Sequence, residues 1–218
     1  MARFQSLLLF VTIGLGLLAP LPARAQAPAP ATPEIVAFGD SLSAGYGVGP
    51  GESFPEQLAA ALVKAGRSAS VTNAGVSGDT TTGGLARLDW SVPETASVVI
   101  VELGANDALR GISPDVTRRN LDAILAKLKT RPATQVILAG MIAPPNMGAD
   151  YASAFNPIYP DLAKQYDVPL YPFFLDGVAS VEGMNQADYM HPNARGVGVI
   201  VERILPLVME ALDAAKGA

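Results

Sequence analysis

From residue 34 onward, short apolar runs alternate with stretches whose apolar residues recur at helical spacing. The runs at 35–38, 70–73, 97–101, 135–139 and 168–171 are rich in branched residues, and the first four lead into glycine-bearing turns. Those at 97–101 and 135–139 are almost continuously apolar, which predicts strands covered on both faces. Between the runs, helices are predicted at 54–65, 80–88, 114–129, 151–166 and 194–214. In the third of these, Leu121, Ile124, Leu125 and Leu128 share one face, and Ser113 followed by Pro114 is a start signal. Strands alternating with helices predict an α/β domain, a parallel sheet of about five strands covered by helices on both sides. In such sheets ligands bind beyond the carboxyl ends of the strands. The polar, glycine-rich segments 39–43, 75–82 and 104–107 each follow a predicted strand directly, so three loops converge on one edge.

The first residues follow a different pattern. Arg3 precedes an apolar run from Leu7 to Leu18, and Pro20, Pro22 and the triplet Ala23-Arg24-Ala25 come next. This is the layout of a secretory signal peptide over 1–25, cleaved after Ala25. The alternative is an uncleaved anchor, but the apolar run is short for ~30 Å of hydrocarbon. Residues 26–33 form an Ala/Pro linker, and 34–218 form the domain. A periplasmic or secreted enzyme with no stable membrane span after cleavage is expected.

Charge and composition narrow the chemistry. The formal net charge is -5, and cleavage would remove Arg3 and Arg24 and leave -7. No dense run of Lys or Arg is present, which argues against a nucleic-acid partner. There is no cysteine, so disulfides, thiolate metal sites, cysteine nucleophiles and lipid-anchored N-termini are excluded together. With His191 as the single histidine, a zinc site would rely almost wholly on carboxylates, which suits zinc poorly.

Ser41 follows the first strand. A serine hydroxyl needs a base to become a nucleophile, most often histidine, and this chain has one to offer. His191 lies in Asp188-Tyr189-Met190-His191-Pro192-Asn193, where Asp188 can accept a hydrogen bond from Nδ1 and leave Nε2 facing the serine. In isolation the same tetrapeptide also reads as a surface loop with a solvated histidine. An oxyanion would need donors: the Asn106 amide, the Gly78 N–H and the Ser41 N–H are available at the same edge. Separately, each glycine-rich turn is also readable as purely structural.

In order along the chain, Gly39-Asp40-Ser41-Leu42, Gly78, Gly104-x-Asn106-Asp107 and Asp188-x-x-His191-Pro192 resemble the sequence blocks of the SGNH (GDSL) hydrolase family. The stretches 39–46, 77–80, 84–88, 101–104, 107–111 and 166–170 extend the likeness to its bacterial branch of multifunctional thioesterase/lysophospholipases and arylesterases. The resemblance implies a three-layer α/β/α, flavodoxin-like sandwich with no metal and no cofactor. It implies Ser41, Asp188 and His191 as catalytic triad, with Ser41, Gly78 and Asn106 forming the oxyanion hole. The α/β-hydrolase pattern Gly-x-Ser-x-Gly is absent around Ser41, Ser43 and Ser77.

The expected function is hydrolysis of single-acyl esters, with small acyl esters or lysolipids as substrates and an acyl-serine intermediate. Leu109, Ile112, Pro145 and Met147 are candidates for an apolar acyl groove, where a methionine adapts to different chain shapes. An O-acetylated glycan is the alternative substrate, and the low aromatic content speaks mildly against it. A non-catalytic binding module would lack a triad or oxyanion residue, and none is missing. Asp40 and Asn73 are read as loop ties, Asp107 as a brace for Asn106, Arg87 and Glu102 as an ion pair, and Trp90 as a packing residue.

Overall fold

Every strand of the sheet runs the same way. The computed structural model describes residues 32–216, so the expected signal peptide and most of the linker lie outside the described residues. The strands are β1 (Glu34–Gly39), β2 (Ser70–Gly75), β3 (Val98–Glu102), β4 (Gln135–Ala139) and β5 (Leu170–Tyr171). They pair in parallel in the order β2-β1-β3-β4-β5, the flavodoxin-like order. β3 is buried along its whole length, as its continuous apolar character requires. β5 forms only two residues because Pro169 and Pro172 flank it and neither can donate to a ladder.

The helices are α1 (Ser41–Ala44), α2 (Phe54–Lys64), α3 (Thr81–Ser91), α4 (Ala105–Leu109), α5 (Pro114–Lys129), α6 (Ala149–Phe155), α7 (Ile158–Tyr166) and α8 (Ala194–Ala215). α2 and α8 pack together on one face of the sheet, and α3, α5 and α7 line up on the other. This is the three-layer sandwich. α5 buries Leu121, Ile124, Leu125 and Leu128, the face read from the sequence. The single helix expected at 151–166 is two. Pro157 caps α7 and Pro160 sits in its first turn, positions where a missing N–H breaks no helical bond. Asn156, at the break, turns its side chain to accept from the Ala143 N–H at 2.9 Å.

Between β5 and α8 the chain runs without regular structure, yet it is pinned at several points. Asn185 bridges to Pro192, the Asn193 N–H donates to the Met184 carbonyl, and the Asn185 amide donates to the Val178 carbonyl. Asn193 then caps α8 by accepting from the Arg195 and Gly196 N–H groups. Among the described residues no helix is long and apolar enough to cross a membrane.

Candidate active site

β1 delivers Ser41 to the sheet edge through a tight turn. Gly39 lies between Gly75 of β2 and Glu102 of β3 in the ladder. A Cβ at Gly39 would collide with the Ser43 Oγ and the Glu102 carboxylate, so only glycine fits. Asp40 caps α1, accepting from the Leu42 N–H at 3.0 Å, and Ser41 is the first helical residue. Four residues later Gly45, with φ 86°, ends the helix.

The residues expected to form the triad meet here. Ser41 Oγ lies 2.9 Å from His191 Nε2, and His191 Nδ1 lies 2.6 Å from Asp188 Oδ2. The other oxygen, Asp188 Oδ1, accepts the N–H groups of Met190 and His191, both at 3.0 Å. Tyr189 between them adopts φ 57°, a left-handed backbone that folds the loop back onto its own aspartate. These backbone bonds, then the bond to the imidazole, hold the Asp188 carboxyl down at about 2, so it stays ionised. An ionised Asp188 fixes Nδ1 as the protonated nitrogen and leaves Nε2 free to accept from Ser41.

The oxyanion candidates converge at the switch point of the sheet, where β1 and β3 lie side by side but continue in opposite directions. Neither the Ser41 nor the Gly78 N–H donates to a protein acceptor among the described residues. Gly78 sits at φ 81° in the turn after β2, and its carbonyl accepts from Arg110 at 2.6 Å. Asn106 is on α4, and its amide donates to Asp40 Oδ2 at 3.0 Å. Asp40 therefore ties the helix that begins at Ser41 to the Asn106 amide.

Buried polar groups support this arrangement, differently from the sequence reading. Arg87 does not pair with Glu102. It pairs with Asp79 at 2.6 Å, donates to the carbonyls of Gly39 and Ala74 at 2.8 Å, and lies over the Phe38 ring. One guanidinium so joins the ends of β1 and β2 to the Gly78 turn. Glu102 instead accepts from the Asp40 N–H at 3.2 Å and from Ser43 Oγ at 2.8 Å. Burial, reinforced by the charge of Asp40, raises its carboxyl well above the usual range. Asp107 accepts from the Thr81 N–H and from the hydroxyls of Thr81 and Thr117, so it braces α3 and α5 rather than Asn106. Asn73 is the loop tie expected, bonding the Ala44 carbonyl and the Gly75 N–H. Trp90 is exposed and packs into no core.

Among the acyl-groove candidates, Leu109 and Pro145 are exposed, while Ile112 and Met147 are half-buried. The Ile112 carbonyl accepts from Tyr151, and Met147 lies near Gly111, so two of the loops approach one another. The small recess directly beside Ser41 is walled by other residues, among them Tyr46, Val48, Pro192 and Val197. The sequence reading assigned Tyr46 no role, and its spacing carried no signal for one. Among the described residues no group of three or more His, Cys, Asp or Glu side chains is arranged to hold a metal ion.

Asp40 gives a testable link between stability and function. Burial is the main force raising its carboxyl from 3.8 to about 6, opposed by the bonds from Leu42 and Asn106. Because the folded value lies above the unfolded one, this contribution favours the fold fully below pH 3.8 and is lost as pH rises through about 6. At neutral pH the buried charge is then carried at a penalty on the order of 3 kcal/mol. Asp40→Asn is expected to flatten the fall in stability between about pH 4 and 6. It should also lower kcat/KM about 10- to 100-fold, since an amide cannot accept from both partners and Asn106 loses its anchor. Thermal unfolding across pH and ester kinetics check both; wild-type activity in this variant would remove Asp40 from the account.

Residues 37–199 match the sequence profile of the GDSL-like Lipase/Acylhydrolase family. An arylesterase of Vibrio mimicus is 37% identical over 203 residues, spanning 93% of this chain and 95% of that protein. The thioesterase 1/protease 1/lysophospholipase L1 of Escherichia coli is 42% identical over 166 residues, 76% of this chain and 78% of that protein. Among solved structures, AlinE4, described as an SGNH-hydrolase family esterase, superposes with a TM-score of 0.70 at 48% identity. That match covers 84% of this chain and 98% of AlinE4.

Proposed function

The chain belongs to the GDSL-like lipase/acylhydrolase family and is a serine hydrolase of ester bonds; we propose that it cleaves single-acyl esters through an acyl group carried on Ser41. The observation that carries this reading is the relay from Ser41 Oγ through His191 to Asp188, 2.9 and 2.6 Å long. His191 Nε2 takes the hydroxyl proton as Oγ attacks the carbonyl carbon. The resulting oxyanion is received by the N–H groups of Ser41 and Gly78 and by the Asn106 amide. One such donor is worth ~2.7–4 kcal/mol in the transition state. Asp188 stabilises the imidazolium, which returns the proton to the leaving oxygen or sulfur as the carbon–heteroatom bond breaks. Water, deprotonated by the same histidine, then attacks the acyl-serine, and Ser41 leaves with the proton restored.

Leu109, Ile112, Pro145 and Met147 are assigned to the acyl side of the site. Their exposed or half-buried apolar surfaces suit chains lying along the sheet edge better than a deep tunnel. The substrates assigned are aryl esters, short-chain esters and lysophospholipids. Acyl-CoA is a poorer candidate for an enzyme whose Arg3, Leu7–Leu18 and Ala23-Arg24-Ala25 pattern points to export to the periplasm or beyond.

Purified protein should be assayed on 4-nitrophenyl esters of increasing acyl length beside lysophosphatidylcholine. Turnover of the esters with a defined optimum in chain length is expected, and lysophospholipid cleavage decides whether lysolipids belong to the substrate class. Failure to hydrolyse any of them would overturn the proposal.

A further inference from the structure

The relay also determines where the departing alcohol must lie. The imidazole that deprotonates Ser41 has to protonate the leaving oxygen, so that oxygen comes within hydrogen-bond reach of His191 Nε2. The group attached to it then lies beside the imidazole, away from the oxyanion donors. The aromatic side chain bordering the imidazole is Tyr46. Its ring centroid is 4.5 Å from that of His191, with the planes tilted by 39°, and the residue is 54% exposed. One part of the phenol ring rests on the base and the rest is open at the mouth of the recess shared with Ser41.

The backbone that carries this exposed tyrosine is held at both its N–H and its carbonyl. The Tyr46 N–H donates to the Ser41 carbonyl at 3.1 Å, and the Tyr46 carbonyl accepts from Gln186 Nε2 at 2.7 Å. The same amide donates to the Pro192 carbonyl at 2.9 Å, and the Gln186 N–H donates to the His191 carbonyl at 2.8 Å. Gln186 thus ties the nucleophile's loop to the histidine's loop, and the phenol is not needed for that tie. An aromatic face presented to solvent beside the catalytic base is a stacking surface for a flat group.

We infer that Tyr46 is the specificity-determining residue for the leaving group, its ring receiving the departing alcohol and favouring flat aromatic alcohols over alkyl ones. This rests on the Ser41–His191 reading above. Two butyrate esters separate the effects: phenyl butyrate and hexafluoroisopropyl butyrate, whose leaving groups are of similar acidity but differ in flatness. The ratio of their kcat/KM values is measured in wild type, Tyr46→Phe and Tyr46→Leu, with Ser41→Ala as control and thermal unfolding as a check on folding. Tyr46→Leu is expected to lower the phenyl-to-alkyl ratio about three- to tenfold, the range of an aromatic pair contact. Tyr46→Phe, which keeps the ring, is expected to retain the wild-type ratio. A ratio that stays constant in Tyr46→Leu, whether or not both rates fall, would mean that Tyr46 only supports His191 and would overturn the inference. An active Ser41→Ala enzyme would instead overturn the reading beneath it.

Discussion

Replacing Ser41 with alanine is expected to lower kcat/KM on any hydrolysed ester by on the order of 10⁴–10⁶. The hydroxyl is the atom that forms the new bond to carbon, and nothing near it can substitute. Ser43, two residues on, is fully buried and donates its hydroxyl to Glu102, so it is neither reachable nor free. The same change should alter stability by less than about 1 kcal/mol, because it removes one hydrogen bond at the sheet edge and opens no core cavity. Ester kinetics and a thermal unfolding curve on the same preparation test the pair of expectations. A folded Ser41→Ala enzyme retaining a tenth of wild-type activity would rule out Ser41 as the nucleophile.

Asp188→Asn should come second, with a loss on the order of 10³–10⁴ in kcat/KM. The tautomer of His191 sets the size of the loss. The asparagine oxygen can still accept from the Met190 and His191 N–H groups, so the loop keeps its shape. Its NH₂ then faces His191 Nδ1 and makes that nitrogen the acceptor. Nε2 carries the proton instead, and the imidazole can no longer accept from Ser41. The charge that stabilises the imidazolium is lost as well. The wild-type pH profile adds a check. A carboxyl held at about 2 titrates far below the assay range, so Asp188 should add no ionisation to the fall in kcat/KM toward acid, in contrast to Asp40, whose carboxyl is raised to about 6. A second ionisation from Asp188 within the assay range, or a variant keeping most of its rate, would break the dyad.

Much of this was legible in the sequence because it depends on local signals. Strands covered on both faces read as unbroken apolar runs, and 97–101 became β3 within a residue. Helix starts carried their caps, so α5 begins at Pro114 as read. Ser41, Asp188 and His191 stand out through the family-like blocks taken together, since one histidine with an aspartate three residues before it also reads as a solvated surface loop.

What escaped depended on register and on side chains meeting across elements. Glu102 faces Asp40 and Ser43 because β3 pairs with β1 so that Glu102 lies opposite Gly39, a relation no spacing within either strand encodes. Arg87 was matched to the wrong carboxylate for the same reason: from α3 it reaches back across the ends of two strands. The break at Asn156–Pro157 did have a local signal, since Pro157 and Pro160 mark the first turn of a new helix rather than the middle of an old one. Tyr46 and Gln186 had no signal at all. Their role follows from two loops that lie 140 residues apart in the chain and meet at the site.

The most direct test of the account is to trap the nucleophile. The enzyme is incubated with a 4-nitrophenyl alkylphosphonate, whose tetrahedral phosphorus mimics the oxyanion intermediate and leaves a stable bond to the attacking oxygen. Intact-mass analysis and fragment sequencing then locate the adduct. The account predicts one phosphonyl group per chain, on Ser41 and not on Ser43, with activity lost in proportion to the fraction modified and labelling slowed strongly in Asp188→Asn. Inactivation with the adduct on another residue, or with Ser41 left unmodified, would contradict it.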